Sequence, residues 1–256
     1  MKIKNLLFGF FLLAISCSPK STLDLQQETL FVVEVDERNE RIDQRVKEED
    51  PSINELIAPY KEELDKTMGE VIASTPFELV KSRPNGSLNN WVADLVLELT
   101  NANYDRKIDF AIQNYGGVRV SSIGQGDILI RTIYELMPFD NKVSILELDG
   151  KVVDQLFSTI AEQGGWPISK EVKLYLTAEN TYDRATIQGR EIDPDRKYLV
   201  SMPDYIANGN GGCDFLKDQD REDLELLIRD GMIQFLKSDQ EDGKLQATLE
   251  KRIINE

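Results

Sequence analysis

Apolar residues recur at helical spacing in several stretches of the chain. Ile53, Leu56, Ile57, Tyr60, Leu64 and Met68 fall on one side of a helix that opens at Asp50-Pro51-Ser52. Pro59 lies inside this run and predicts a kink or a restart, because proline has no amide hydrogen to give the helix. Leu88, Trp91, Val92, Leu95, Val96 and Leu99 step by three and four and predict a helix over 88–99. Asn89 and Asn90 stand at its start, where short polar side chains cap free amides. A helix over Val152–Ala161 turns Val153, Leu156, Phe157 and Ile160 inward, and Leu224–Leu236 reads as another amphipathic helix. A brief helix is expected at Thr132–Leu136, stopped by Pro138, and a C-terminal one at Leu245–Ile254.

Extended segments are expected at Val71–Val80, Ile108–Gln113, Val143–Leu148, Val172–Thr177, Arg184–Gln188 and Tyr198–Met202, with a turn at Asp149-Gly150. Strands and helices alternate without a clean βαβ rhythm. That favours an α+β fold with a mixed sheet over a doubly wound one. No repeat at solenoid periods is present.

The first residues read as an address. Lys2 and Lys4 precede the apolar run Leu6–Ile15, which is too short to span a bilayer and meets Ser16-Cys17. Leu13-Ala14-Ile15-Ser16-Cys17 resembles a bacterial lipobox, which predicts a signal peptide over 1–16 and a lipid on Cys17. The expected localisation is an exported, membrane-anchored lipoprotein, periplasmic or at the cell surface. Residues 17–50 are polar and charge-dense and read as an acidic tether, with a short strand at Leu30–Val35. The remaining domain is placed at 51–256. With Cys17 acylated, Cys213 has no disulfide partner and is expected to be packed rather than reactive.

Composition removes whole classes of chemistry. The 256 residues include 30 Lys+Arg, 46 Asp+Glu and no histidine, for a formal charge of −16. Without histidine there is no Ser-His-Asp triad, no His-paired cysteine nucleophile and no imidazole-held pair of metals. Two cysteines are too few for a Cys-rich zinc or iron–sulfur site. The acidic balance argues against nucleic-acid binding, which needs clustered Lys and Arg. Neither a Gly-x-x-x-x-Gly-Lys loop nor a Gly-x-Gly-x-x-Gly loop occurs.

Two loops remain with chemical potential. In Asn114-Tyr115-Gly116-Gly117-Val118-Arg119 the paired glycines let backbone amides approach a ligand, and Arg119 offers a planar fork for phosphate or carboxylate. On local grounds a tight turn with a surface arginine explains the same residues. In Tyr205-Ile206-Ala207-Asn208-Gly209-Asn210-Gly211-Gly212 the asparagines suit sugar hydroxyls and Tyr205 suits a base. A loop with several positive-φ positions explains them equally.

Taken in order, these segments resemble the 5′-nucleotidase C-terminal domain, the substrate-binding half of periplasmic and surface 5′-nucleotidases and UDP-sugar hydrolases. Ser87-Leu88-Asn89-Asn90-Trp91-Val92-Ala93-Asp94 is similar to the family's leading helix, and Asn114–Arg119 to its Asn-x-Gly-Gly-x-Arg loop. Leu136-Met137-Pro138-Phe139 is similar to its Leu-Pro-Phe. Gly189, Ile192-Asp193-Pro194 and Tyr198-Leu199-Val200 run into Tyr205–Gly209, the opening of its last loop. The resemblance covers roughly residues 55–240 and implies a layered mixed-sheet α+β domain. It implies a base held between Phe139 and Tyr205, phosphate at Arg119, and Asn114, Gly116, Gly117, Asn208 and Asn210 shaping the same site. Arg83 lies near another arginine of the family, a residue or so out of register.

The family's catalytic half, a metallophosphatase domain with two metal ions, has no counterpart in this sequence. The resemblance therefore implies no catalytic or metal-binding residue in this chain. It implies a nucleotide or nucleoside as ligand, and a separate metallophosphatase chain as the partner that carries divalent metals. The family's last loop reads Gly-Gly-Asp-Gly, with the acid on ribose. Here Gly209-Asn210-Gly211-Gly212 stands in its place, leaving Asn210, or Asp214 beyond the loop, for that role. Two other readings stay open: a surface lipoprotein that keeps the fold without the ligand, and a hydrolase using paired carboxylates.

Overall fold

A computed structural model describes residues 51–239 and 247–255. The expected signal peptide 1–16, Cys17, the tether 17–50 and the strand at Leu30–Val35 lie outside the described residues. In chain order the elements are α1 (Pro51–Met68), β1 (Val71–Thr75), β2 (Leu79–Val80), α2 (Ser87–Asn103), β3 (Phe110–Ala111), β4 (Ser122–Ile123), β5 (Gly126–Leu129), α3 (Ile130–Leu136) and β6 (Lys142–Asp149). There follow α4 (Gly150–Glu162), β7 (Val172–Leu176), β8 (Tyr182–Ile187), β9 (Arg190–Glu191), β10 (Lys197–Pro203), α5 (Asp204–Ala207), β11 (Arg221–Leu227), α6 (Ile228–Asp239) and β12 (Ile253–Asn255).

The sheet that organises the domain has the order β11-β6-β10-β3. β10 runs antiparallel to β6 and parallel to β3, so the sheet is mixed. Its strands alternate between two cores. Val143, Ile145 and Leu199 face a first core with α2, α3 and α6, whereas Leu146, Leu148, Tyr198, Val200 and Met202 face a second. The second core is closed by α4 and by a sheet of order β12-β7-β8-β9. Inside it Phe110 and Phe157 meet with ring centroids 5.2 Å apart. A strand covered on both faces reads as a continuous apolar run, which is why β6 and β10 are legible in the sequence. Small two-stranded sheets, β1-β5 and β2-β4, complete the layers of this α+β fold.

Several elements differ from expectation. α1 runs through Pro59 as one helix, and its apolar side chains Ile53, Leu56, Ile57, Tyr60 and Leu64 are exposed. Val71–Val80 breaks into β1 and β2. Asn89 and Asn90 are buried and do not cap α2, whose N-cap is Gly86 without a side-chain bond. Asn89 instead pairs with both backbone groups of Ser82, while the Asn90 amide donates to the carbonyls of Thr248 and Glu250. Leu224–Leu227 belongs to a strand, because the half-buried Leu224 and Leu226 alternate with exposed Glu225 beside the open edge of β6. The helix begins only at Ile228, whose amide donates to Asn141 O at 2.9 Å. The C-terminal segment is not helical at residues 247–252 and ends in β12, which lies parallel on β7. There the ladder to β7 and the buried Arg252 outweigh local helix propensity. No helix among the described residues is long and apolar enough to cross a membrane.

Candidate functional site

The glycine loop leaves the main sheet at the end of β3. Ile112 N–H donates to Ser201 O and Gln113 N–H to Pro167 O, both at 3.0 Å, which fixes the point of departure. Residues Tyr115–Gly117 then close a single 3-10 turn, with Gly117 N–H on Asn114 O at 3.0 Å. A side chain at Gly117 would have to displace the Gln113 and Asn114 side chains. A Cβ there would come 2.1 Å from Gln113 Nε2 and 2.8 Å from Asn114 Oδ1. Gln113, wholly buried, donates its amide to Asn114 Oδ1 at 3.1 Å and so orients that side chain.

Arg119 is held by its backbone, N–H to Leu136 O at 3.0 Å, and by Nη1 to Gly116 O at 3.3 Å. Its guanidinium carbon lies 5.7 Å from the centroid of the Phe139 ring. The segment bearing Phe139 is clamped from α6, where Arg229 Nη2 bonds Asp140 Oδ1 at 2.7 Å. Across the site, α5 presents Tyr205 directly after β10. Phe139 and Tyr205 are each 43% exposed, although both are large aromatics.

These residues share one hollow. A pocket of about 310 Å³ is lined by Asn114, Gly116, Gly117, Arg119, Phe139, Asn141 and Tyr205. The structure therefore brings together Asn114, both glycines, Arg119 and the two aromatics. Asn208 and Asn210 are not in the lining. Asn208 Oδ1 accepts from Arg221 Nη1 at 2.7 Å, and Asn210 Nδ2 turns back to Tyr205 O at 2.8 Å. The alternative acid, Asp214, pairs with Lys217 at 2.5 Å. The last loop does use left-handed backbone, with φ of 85°, 70° and 86° at Gly209, Gly211 and Gly212. Cys213 beneath it is fully buried, and burial pushes its thiol up to about 11, as befits a packed residue.

Two contributors escape the sequence reading. Asn141 lines the pocket two residues after Phe139, where only the Leu-Met-Pro-Phe run draws attention. Lys81 packs on the glycine turn but is not part of that lining. Its Nζ donates to Val118 O at 2.6 Å and lies 4.0 Å from the Tyr115 ring centroid, with Arg83 at 4.1 Å from the same ring. Burial, together with the neighbouring Arg119 and Arg83, holds the Lys81 pKa below its ordinary value. Among the described residues none of Lys81, Arg83 and Arg119 forms an ion pair with a carboxylate. In a chain of charge −16, three such cations around one turn make a local patch of positive charge. Among the described residues no group of three or more His, Cys, Asp or Glu side chains is placed to hold a metal ion.

With this geometry in place, comparison with known proteins defines the class. The family 5′-nucleotidase, C-terminal domain matches residues 68–218, and the chain belongs to it. Protein UshA of Yersinia enterocolitica is 27% identical over 180 residues, covering 64% of this chain and 30% of that protein. The NAD 5′-nucleotidase of Haemophilus influenzae is 24% identical over 189 residues, covering 64% and 31%. A 5′-nucleotidase precursor from Thermus thermophilus superposes with a TM-score of 0.67 at 25% identity, over 81% of this chain and 43% of the other. The chain thus spans about a third of the length of these curated relatives.

Proposed function

We propose that this chain is the nucleotide-binding, specificity-giving member of a two-chain hydrolase that breaks down nucleotides. In this reading it is exported, anchored by lipid on Cys17, and works with a separate metallophosphatase chain that brings the divalent metals. One observation carries the ligand-binding part: Phe139, Tyr205 and Arg119, far apart in sequence, line a single pocket of about 310 Å³. That volume is at the lower end for small-molecule sites, about 300–1,000 Å³. Stacking contributes about 1–3 kcal/mol per base, and a charged Arg–phosphate bond about 1.5–3 kcal/mol. Lost translational and rotational freedom offsets much of this, so the chain alone binds weakly. A cleft shared with the partner completes the site, as interfaces between domains commonly do.

Calorimetric titration of the purified chain with AMP, adenosine and UDP-glucose, with and without a co-encoded metallophosphatase, tests the reading. Absence of heat with every ligand under both conditions retires it. Arg119→Ala should weaken AMP by about 10- to 100-fold, the equivalent of one charged hydrogen bond, and leave adenosine almost unchanged. Equal losses for both ligands contradict the phosphate role. Cys17→Ser should move the protein from the membrane to the soluble fraction of cells, and retention at the membrane would remove the lipid anchor from the proposal.

A further inference from the structure

Gln113 lies at the foot of the glycine turn as a buried polar group that is only half used. It is wholly buried, and its Oε1 has no hydrogen-bond partner among the described residues. A buried acceptor left unpaired costs stability, and an apolar side chain of similar length would avoid that cost. The other end of the carboxamide is engaged: Nε2 donates to Asn114 Oδ1 at 3.1 Å. The backbone fixes this end in place. Gln113 N–H donates to Pro167 O at 3.0 Å, and Ile112 before it forms an antiparallel bridge with Ile168. The bare Gly117 leaves room for the two carboxamides to meet, since a Cβ there would lie 2.1 Å from Gln113 Nε2 and 2.8 Å from Asn114 Oδ1.

Asn114 is the member of the pair that faces the ligand. It is half-buried and lines the pocket, whereas Gln113 does not. A carboxamide has a donor end and an acceptor end, and a half-turn exchanges them. With Oδ1 held by Gln113, the hydrogens of Nδ2 are left for the pocket. Asn114 Nδ2 lies 3.6 Å from where a Gly116 Cβ would stand, and Arg119 Nη1 bonds the Gly116 carbonyl at 3.3 Å. Two donors thus stand beside Gly116 in the wall of one hollow, an arrangement that suits the oxygens of an anionic group. We propose that Gln113 sets the selectivity of the site without touching the ligand: it fixes Asn114 as a donor, so that Asn114 and Arg119 together favour an anionic group over a neutral one. Gln113 is a positioning residue in this account, which rests on the nucleotide reading above and adds to it a residue from outside the pocket. Without the Gln113 amide, the Asn114 carboxamide turns freely and presents its oxygen to the anion part of the time. Affinity then falls by the fraction of time spent in the donor orientation.

Gln113→Met tests this, because methionine keeps the length of the side chain and cannot donate a hydrogen bond. Gln113→Leu is the second variant, for use if the methionine protein does not fold. Calorimetric titration of the full chain should show AMP weakened by about 3- to 10-fold and adenosine within about twofold of the native value. On an Asn114→Ala background the same substitution should change AMP binding by less than about 1.5-fold, because the group it orients is gone. A part in packing alone would weaken AMP and adenosine equally, or add a further loss on the Asn114→Ala background. Either result, or AMP binding unchanged by the single substitution, overturns the proposal and leaves the nucleotide reading intact. No binding of AMP by the native chain overturns both.

Discussion

Arg252→Met should lower the free energy of unfolding by about 3–5 kcal/mol, the cost of removing one partner from a buried ion pair. The guanidinium is 1% exposed and forms a two-pronged pair with Asp94, Nη1 to Oδ1 at 2.7 Å and Nη2 to Oδ2 at 2.6 Å. Nη1 also donates to Ile168 O at 2.8 Å, and Nε reaches Glu250. Deleting it strands the Asp94 carboxylate, 4% exposed, with only the Lys170 amide left as donor. It also removes the charged link between segment 247–255 and α2, leaving neutral bonds in place: the Asn90 amide to the carbonyls of Thr248 and Glu250, and Asn85, just before the helix, accepting from the amides of Arg252 and Ile253. Thermal unfolding should show a midpoint lower by on the order of 10 °C. Arg252→Met with Asp94→Leu should recover part of the loss, since no charge is then left alone, but not all of it, because Ile168 O and Lys170 N–H stay unpaired. A single variant within about 1 kcal/mol of the native protein would show that the clasp is not a stability determinant.

That clasp also marks the boundary of what the sequence discloses. Helix α2 is legible because thirteen of its residues, from Ser87 to Thr100, are buried and the apolar ones repeat at steps of three and four. Asp94 in the same helix looks like part of a family motif, yet its physical role depends on Arg252, 158 residues away, and no local pattern reports such a pair. The same limit applies to Leu224-Glu225-Leu226-Leu227, which fits a helix or a strand until the edge of β6 supplies backbone partners. The pocket divides in a similar way. Gly116-Gly117 and Arg119 announce themselves by residue type, and the ordered motifs bring Phe139 and Tyr205 to the same ligand. Asn141 and Lys81 carry no signal, because an isolated Asn or Lys in a charged chain is ordinary. The side chains of Asn208 and Asn210 suit a sugar by chemistry alone; the bonds to Arg221 and Tyr205 O, which engage Asn208 Oδ1 and Asn210 Nδ2, appear only in the fold.

Replacing both pocket aromatics should have the largest effect on binding. Phe139→Ala and Tyr205→Ala should each weaken adenosine by about 5- to 100-fold, the equivalent of one base–aromatic stack, and the double variant should show no measurable nucleoside binding. Stability should move little. With 43% of each residue's surface already in water, truncation removes less buried apolar area than at a core site. Midpoints within about 2 °C of the native protein are therefore expected in all three variants. Phe139→Trp and Phe139→Leu separate stacking from mere apolar contact. Tryptophan keeps a π-face beside Arg119, whose guanidinium stands 5.7 Å from the ring, and should retain affinity. Leucine supplies apolar contact without a π-face and should lose most of what alanine loses. Equal binding by the leucine and native proteins would mean that the ring is not a platform for a base, and the two exposed aromatics would then need another explanation. Loss of AMP and adenosine in the same proportion is the complementary expectation, since the rings contact the base that both ligands share. A change confined to AMP would assign the rings to the phosphate end of the pocket and reverse the orientation argued for the ligand.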